Sequence, residues 1–125
     1  MPHSGGRVGR GIYFASENSK SAGYVECAGR TGIMFLNEVA LGKEYHITKD
    51  DPSLRKAPAG YDSVVAQGQT EPDPSKDIKI KGDDGEIVVP QGKPQWRKQY
   101  SNSYFSQSEY LVYNEGQGKH NQRKY

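Results

Sequence analysis

Apolar residues in this chain come in short bursts set between polar stretches rich in Gly and Pro, a pattern that predicts many short strands and little helix. Residues 11–15 (Gly-Ile-Tyr-Phe-Ala) have the β-branched and aromatic content of a strand. Ser16 then reads as an N-cap, with Glu17 in the first turn of a helix running to about Val25, on which Ser21 and Tyr24 share a face. The strongest apolar run, Ile33–Leu41, is short and bounded by Gly32 and Gly42, which predicts a buried central strand. Glu44–Ile47 continues as a second strand after a break at Gly42, and Asp62–Ala66 is a third. Ile78–Ile80 and Ile87–Pro90 flank Gly82-Asp83-Asp84-Gly85, the signature of a hairpin. Ser108–Tyr113 is the last strand, and alternation puts Glu109, Leu111 and Tyr113 on one face, Tyr110 and Val112 on the other. Residues 1–10, 26–32, 48–60, 67–76 and 91–107 read as loops, and 114–125 as a polar, basic tail. No internal repeat or heptad is present.

Composition narrows the picture. A chain of 125 residues predicts one domain, and a hydrophobic share of 33% predicts a small core with long solvated loops. The net charge of only +2, with nine Tyr, three Phe and one Trp available for packing, argues against disorder. The single Cys27 excludes an intrachain disulfide and a thiolate metal cluster. His3, His46 and His120 have no close ligand spacing, so no metal is expected. No apolar run approaches the roughly 20 residues of a membrane span. Met1–Gly6 lacks the apolar core of a signal peptide, so the expectation is a soluble intracellular protein without a membrane partner.

Four polar residues stand out as ill suited to a core: Tyr13, Ser21, Tyr24 and Glu109. Each has an ordinary reading. Glu109 can be an edge-strand charge facing water, Tyr13 a core aromatic, Ser21 a plain helix serine and Tyr24 a packing residue. Gly6-Arg7-Val8-Gly9-Arg10-Gly11 superficially suggests a phosphate-binding loop, but it leads into a strand where a dinucleotide fingerprint opens a helix. As an arginine–glycine segment it could equally touch nucleic acid or be a simple flexible loop.

Taken together, five ordered blocks resemble the catalytic domain of the poly(ADP-ribose) polymerases, the diphtheria-toxin-like ADP-ribosyltransferases. They are Gly9–Ala15 with Ser19–Tyr24, Glu38–Gly42, Asp62–Val64 with Thr70–Pro74, Val88–Gly92, and Ser108–Tyr113. The wording of Tyr13–Tyr24 and of Phe105–Tyr110 is nearest to a DNA-break-responsive branch. The resemblance implies an α+β ADP-ribosyltransferase fold, a mostly antiparallel sheet with a short helix. It implies NAD+ as substrate without a metal, protein acceptors of ADP-ribose, a nuclear location, and DNA-damage factors as partners through regions outside this chain. It assigns Glu109 as the catalytic glutamate and Tyr13 as the tyrosine under the nicotinamide ribose. Ser21 becomes the carboxamide partner, Tyr24 the ring that stacks on nicotinamide, and Lys20 a lysine toward the acceptor side, with Gly11, Phe14 and Ala15 lining the same pocket. Residues 1–10 match the loop over the adenosine half of NAD+, and residues 91–107 the loop bordering the acceptor site.

The family's His-Gly pair and first strands have no counterpart in the sequence, and the polar stretch after Tyr113 replaces an apolar strand. The expectation is therefore a partial domain spanning 1–125, missing its N-terminal strands, with little or no transferase activity on its own. The alternatives are a non-catalytic remnant that binds NAD+, ADP-ribose or nucleic acid, and a marginally folded fragment.

Overall fold

In the computed structural model, residues 4–22 and 32–117 are described. Their strands are β1 (Ser4–Gly6), β2 (Gly9–Phe14), β3 (Glu44–Ile47), β4 (Ser63–Ala66), β5 (Gly68–Pro72), β6 (Ile78–Gly82), β7 (Gly85–Val89), β8 (Pro94–Trp96), β9 (Phe105–Gln107) and β10 (Glu109–Val112). The one α-helix among the described residues is α1 (Asn18–Ala22). No helix among them is long and apolar enough to cross a membrane.

The main sheet has the order β1-β2-β10-β4-β3, antiparallel except for the parallel β3–β4 pair. All four residues of β4 are buried, as expected of a strand hydrogen-bonded on both edges and covered on both faces. The core cluster comprises Val8, Val64, Ala66, Phe105 and Leu111, each fully shielded from solvent. Burying Phe105 and Leu111 contributes about 1.5–3 kcal/mol apiece.

Several sequence expectations need correction. Residues 1–10 are not a plain loop: Ser4–Gly6 pairs with Gly9–Gly11 across a two-residue Arg7-Val8 turn. Val8, at the apex of that turn, is buried in the core, so the hairpin tip folds onto the sheet. Gly9 permits this, with φ of +82° and its Cα pressed against the Leu54 backbone, where no side chain fits. The strap 50–54 closes over the hairpin through Arg10 N–H to Leu54 O at 2.8 Å and Asp51 N–H to Arg7 O at 2.8 Å.

The apolar run 33–41 does not form the predicted central strand. Ile33, Met34, Phe35 and Leu36 are 72%, 52%, 72% and 75% exposed, and the run's only strand-like feature is a single bridge at Val39. Ladder partners, not apolarity, define a strand, and among the described residues this run has almost none. The loops expected at 67–76 and 91–107 instead supply a second sheet, β8-β5-β9. Its residues are too polar to give a periodic signal, and its two prolines, Pro72 and Pro94, sit at strand ends where a missing N–H is tolerated. The hairpin expected around Gly82-Asp83-Asp84-Gly85 is present as β6–β7, turning over two residues.

A candidate active site around Glu109

Glu109 opens β10, whose neighbours are β2 on one side and β4 on the other. Leu111 pairs with Tyr13, so Glu109 and Tyr13 lie on the same face of adjacent strands. Glu109 is not a solvent-facing edge charge: it is 3% exposed. Its Oε1 lies 3.2 Å from Lys20 Nζ of α1, and its Oε2 has no hydrogen-bond partner among the described residues. A buried carboxylate with one oxygen paired and the other open is costly to maintain for stability alone.

Side chains from distant strands set α1 in place. Ser16 is not the helix cap. The helix begins at Asn18, and the Ser16 hydroxyl instead donates to Glu71 Oε2 at 2.6 Å. Glu17, expected beside the helix end, is buried at 4% exposure; its Oε2 accepts from the Thr70 hydroxyl at 2.9 Å and its Oε1 has no partner among the described residues. At the other edge Gln107 Nε2 donates to Ser19 Oγ at 2.8 Å. The strands β5 and β9 thus grip the segment that carries Lys20.

A guanidinium braces the back of the site. Arg97 donates to Gln67 Oε1 at 3.0 Å, to Gly68 O at 2.5 Å and to Ser108 Oγ at 3.2 Å, while stacking over the Tyr100 ring at 4.4 Å. Ser108 Oγ also accepts from Gly68 N–H at 2.8 Å, a close approach that only glycine at 68 allows. The residue before Glu109 is therefore held from two directions.

Tyr13 is half-buried. Its hydroxyl donates to Gly9 O and accepts from Val8 N–H at 3.3 Å, tying the β1–β2 turn to the sheet. Gly11 is buried with the Tyr113 ring against its Cα, Phe14 pairs with Tyr110, and Ala15 and Ser21 are half-buried on either side of the β2–α1 junction. Tyr24 lies outside the described residues. Arg7, read from sequence as a possible nucleic-acid contact, is committed internally: it pairs with Asp50 at 2.8 Å, donates to Tyr104 O at 2.7 Å and covers the Phe105 ring at 4.3 Å.

Two phenols report the local environment. Burial, then the charge of Glu71, pushes Tyr110 well above the ordinary tyrosine range. Burial, then the neighbouring Tyr13, pushes Tyr113 up to about 12. Sequence reasoning missed Glu17, Thr70, Glu71 and Arg97. Three of them lie in stretches expected to be loops, and nothing in a single sequence marks such residues as partners of groups far along the chain.

A buried glutamate opening the central antiparallel strand is faced by a lysine on a short helix that follows the neighbouring strand, and this pair is the candidate active site. Residues 1–121 match the family model for the poly(ADP-ribose) polymerase catalytic domain, and the chain belongs to that family. It is 64% identical over 121 residues to Protein mono-ADP-ribosyltransferase PARP3 of Mus musculus, and 61% identical over 121 residues to the protein of that name from Homo sapiens. Poly [ADP-ribose] polymerase 1 of Oryza sativa subsp. japonica is 40% identical over 120 residues. Each alignment covers 94% of this chain but only 23%, 23% and 12% of the respective relative, so the chain spans less than a quarter of their length.

Proposed function

We propose that this chain carries the catalytic-glutamate half of an NAD+-dependent ADP-ribosyltransferase, acting on protein acceptors. The observation that carries the reading is the state of Glu109: buried, fixed on one oxygen by Lys20, with the other lacking a hydrogen-bond partner among the described residues. In the reaction the bond between the nicotinamide nitrogen and ribose C1′ breaks, and nicotinamide leaves neutral with the bonding pair. Positive charge develops on the sugar. The Glu109 carboxylate, shielded from water beside Lys20, is the negative charge suited to stabilise such a transition state. The unpaired oxygen of Glu109 can accept a hydrogen bond from a ribose hydroxyl and fix the sugar's pose. The acceptor oxygen or nitrogen then bonds to C1′ and gives up its proton to a general base, a role open to the same carboxylate.

Within this reading Tyr13, Gly11, Phe14, Ala15 and Ser21 line the nicotinamide side, Tyr24 stacks on the ring, and Lys20 faces the acceptor. Transfer of a single ADP-ribose unit is favoured over polymer growth, because the relatives at 61–64% identity are named mono-ADP-ribosyltransferases. A nuclear location, and a link to DNA repair and DNA-damage factors, belong to the same proposal and rest on the similarity to that branch.

A graft tests it. Residues 1–121 replace the matching segment of the mouse relative, and the hybrid is incubated with NAD+ labelled in the adenylate. Release of one nicotinamide per ADP-ribose attached, with single units on the acceptor, is expected. A folded hybrid that releases no nicotinamide would overturn the proposal, and long polymers would overturn the mono-transfer part. Imaging the tagged gene product before and after DNA breakage tests the location.

A further inference from the structure

Two elements that form the candidate site have no direct backbone ladder to each other: α1, which carries Lys20, and β10, which carries Glu109. One side chain outside both reaches β10 and the segment that leads into α1. Glu71, on β5, accepts the Ser16 hydroxyl on Oε2 at 2.6 Å and the Tyr110 phenol on Oε1. Ser16 lies two residues before α1, and Tyr110 is the residue after Glu109. The neighbouring Thr70 hydroxyl reaches Glu17 Oε2 at 2.9 Å, so consecutive residues of β5 hold consecutive residues of the β2–α1 junction. Hydrogen bonds to a carboxylate are about twice as strong as neutral ones, and a half-buried carboxylate that accepts two hydroxyls across elements fixes their separation.

We infer that Glu71 is a positioning residue of this site: by bridging Ser16 and Tyr110 it sets the gap between the helix and the glutamate strand, and so brings Lys20 to Glu109. The inference rests on the reading of Glu109 as the reacting carboxylate. The geometry favours this over a local role. If Glu71 served only to satisfy the Tyr110 phenol, the single contact between the two sheets would suffice, whereas its second oxygen also takes the Ser16 hydroxyl. The raised proton affinity of Tyr110, caused first by burial and next by Glu71, agrees with a phenol that keeps its proton in the bridge.

The test uses the full 125-residue chain, uniformly labelled with carbon-13 and nitrogen-15, and follows the nuclear Overhauser contacts between the Lys20 ε-methylene and the Glu109 γ-methylene. Glu71→Leu keeps approximate size and removes both acceptors; the contacts are expected to fall at least threefold, while the amide signals of Val64 and Val65 stay in place. Glu71→Gln is expected to restore them, since its amide oxygen accepts from Tyr110 and its NH2 donates to Ser16 Oγ. If Glu71→Leu also disperses the β4 amides, the double variant Ser16→Ala with Tyr110→Phe removes the two donors and replaces it as the probe.

In the grafted hybrid, Glu71→Leu should lower kcat about tenfold with KM for NAD+ within twofold of the parent, and Glu71→Gln should recover most of kcat. Undiminished Lys20–Glu109 contacts in a folded Glu71→Leu or double variant would overturn the inference. The distance readout needs no turnover. Failure of the transferase reading would instead appear as a Lys20–Glu109 contact that obeys Glu71 in a hybrid with no activity to lose.

Discussion

Val64–Ala66 and Ile33–Leu36 are comparable apolar stretches with opposite surroundings. The three residues of the first are at most 1% exposed, whereas the four of the second are 52–75% exposed. By apolarity alone the second should be the sheet's centre. The difference lies in neighbours. β4 has β10 hydrogen-bonded on one edge and β3 on the other, with Val8, Phe105 and Leu111 in the same core cluster, so its backbone is paired and its apolar side chains are covered. Ile33–Leu36 has no paired strand among the described residues, so its apolar surface gains nothing there. Placement of the candidate site follows the first stretch: Glu109 pairs with Ala66, the last residue of the buried strand.

The contrast can be broken by paired truncations. Leu111→Ala, in the packed cluster, should cost about 2–5 kcal/mol by removing buried atoms and leaving a cavity. Phe35→Ala removes more atoms from an exposed position and should change stability by no more than about 0.5 kcal/mol. Urea titration of both variants checks this, and a Phe35→Ala cost close to that of Leu111→Ala would show that the exposed run is packed after all.

The site itself offers a second contrast, between the two halves of its ion pair. Lys20→Met leaves the 3%-exposed Glu109 without its cation and should destabilise the fold by about 3 kcal/mol. Glu109→Gln leaves the partly exposed ammonium, which can turn to solvent, and should cost less than half as much. Equal costs measured by thermal melting would indicate that the pair is solvated rather than buried.

A smaller effect concerns Tyr113, whose hydroxyl is buried without a hydrogen-bond partner among the described residues. Its folded-state proton is held up to about 12, against 10.0 for an ordinary tyrosine. The unfolded chain therefore releases this proton first as pH rises. The stability linked to Tyr113 is fully present below pH 10 and is lost as pH climbs toward 12. Tyr113→Phe should flatten the fall in the urea midpoint between pH 10 and 12, and at pH 7 should shift stability by no more than about 1 kcal/mol.

Much of the sheet was legible where local chemistry and partners agree. The Gly82–Gly85 turn forces its hairpin, and the alternation in 109–113 correctly joins Glu109 to Leu111 and Tyr113. The β5 and β8 strands were not legible, because Gly-Gln-Thr-Glu-Pro and Pro-Gln-Trp carry no period and gain their order from each other. The same holds at the site. Glu109, Lys20 and Tyr13 could be singled out from sequence, whereas Glu17, Glu71 and Arg97 act through contacts spanning 53, 55 and 39, and 29–30 residues. Helix capping by Ser16 failed for a related reason: the helix begins at Asn18, and the Ser16 hydroxyl donates to a carboxylate from β5.

The central claim is that Glu109 acts on the ribose in the transition state and contributes little to holding NAD+. The most direct measurement compares the grafted hybrid with its Glu109→Gln variant, taking NAD+ affinity by calorimetry and nicotinamide release in single turnover. Glutamine keeps the size and the hydrogen-bond acceptor but removes the charge. The predicted result is a fall in the release rate of about 100-fold or more, with NAD+ affinity changed less than threefold. Release at the parental rate from a folded Glu109→Gln hybrid, or a loss confined to NAD+ affinity, would contradict it.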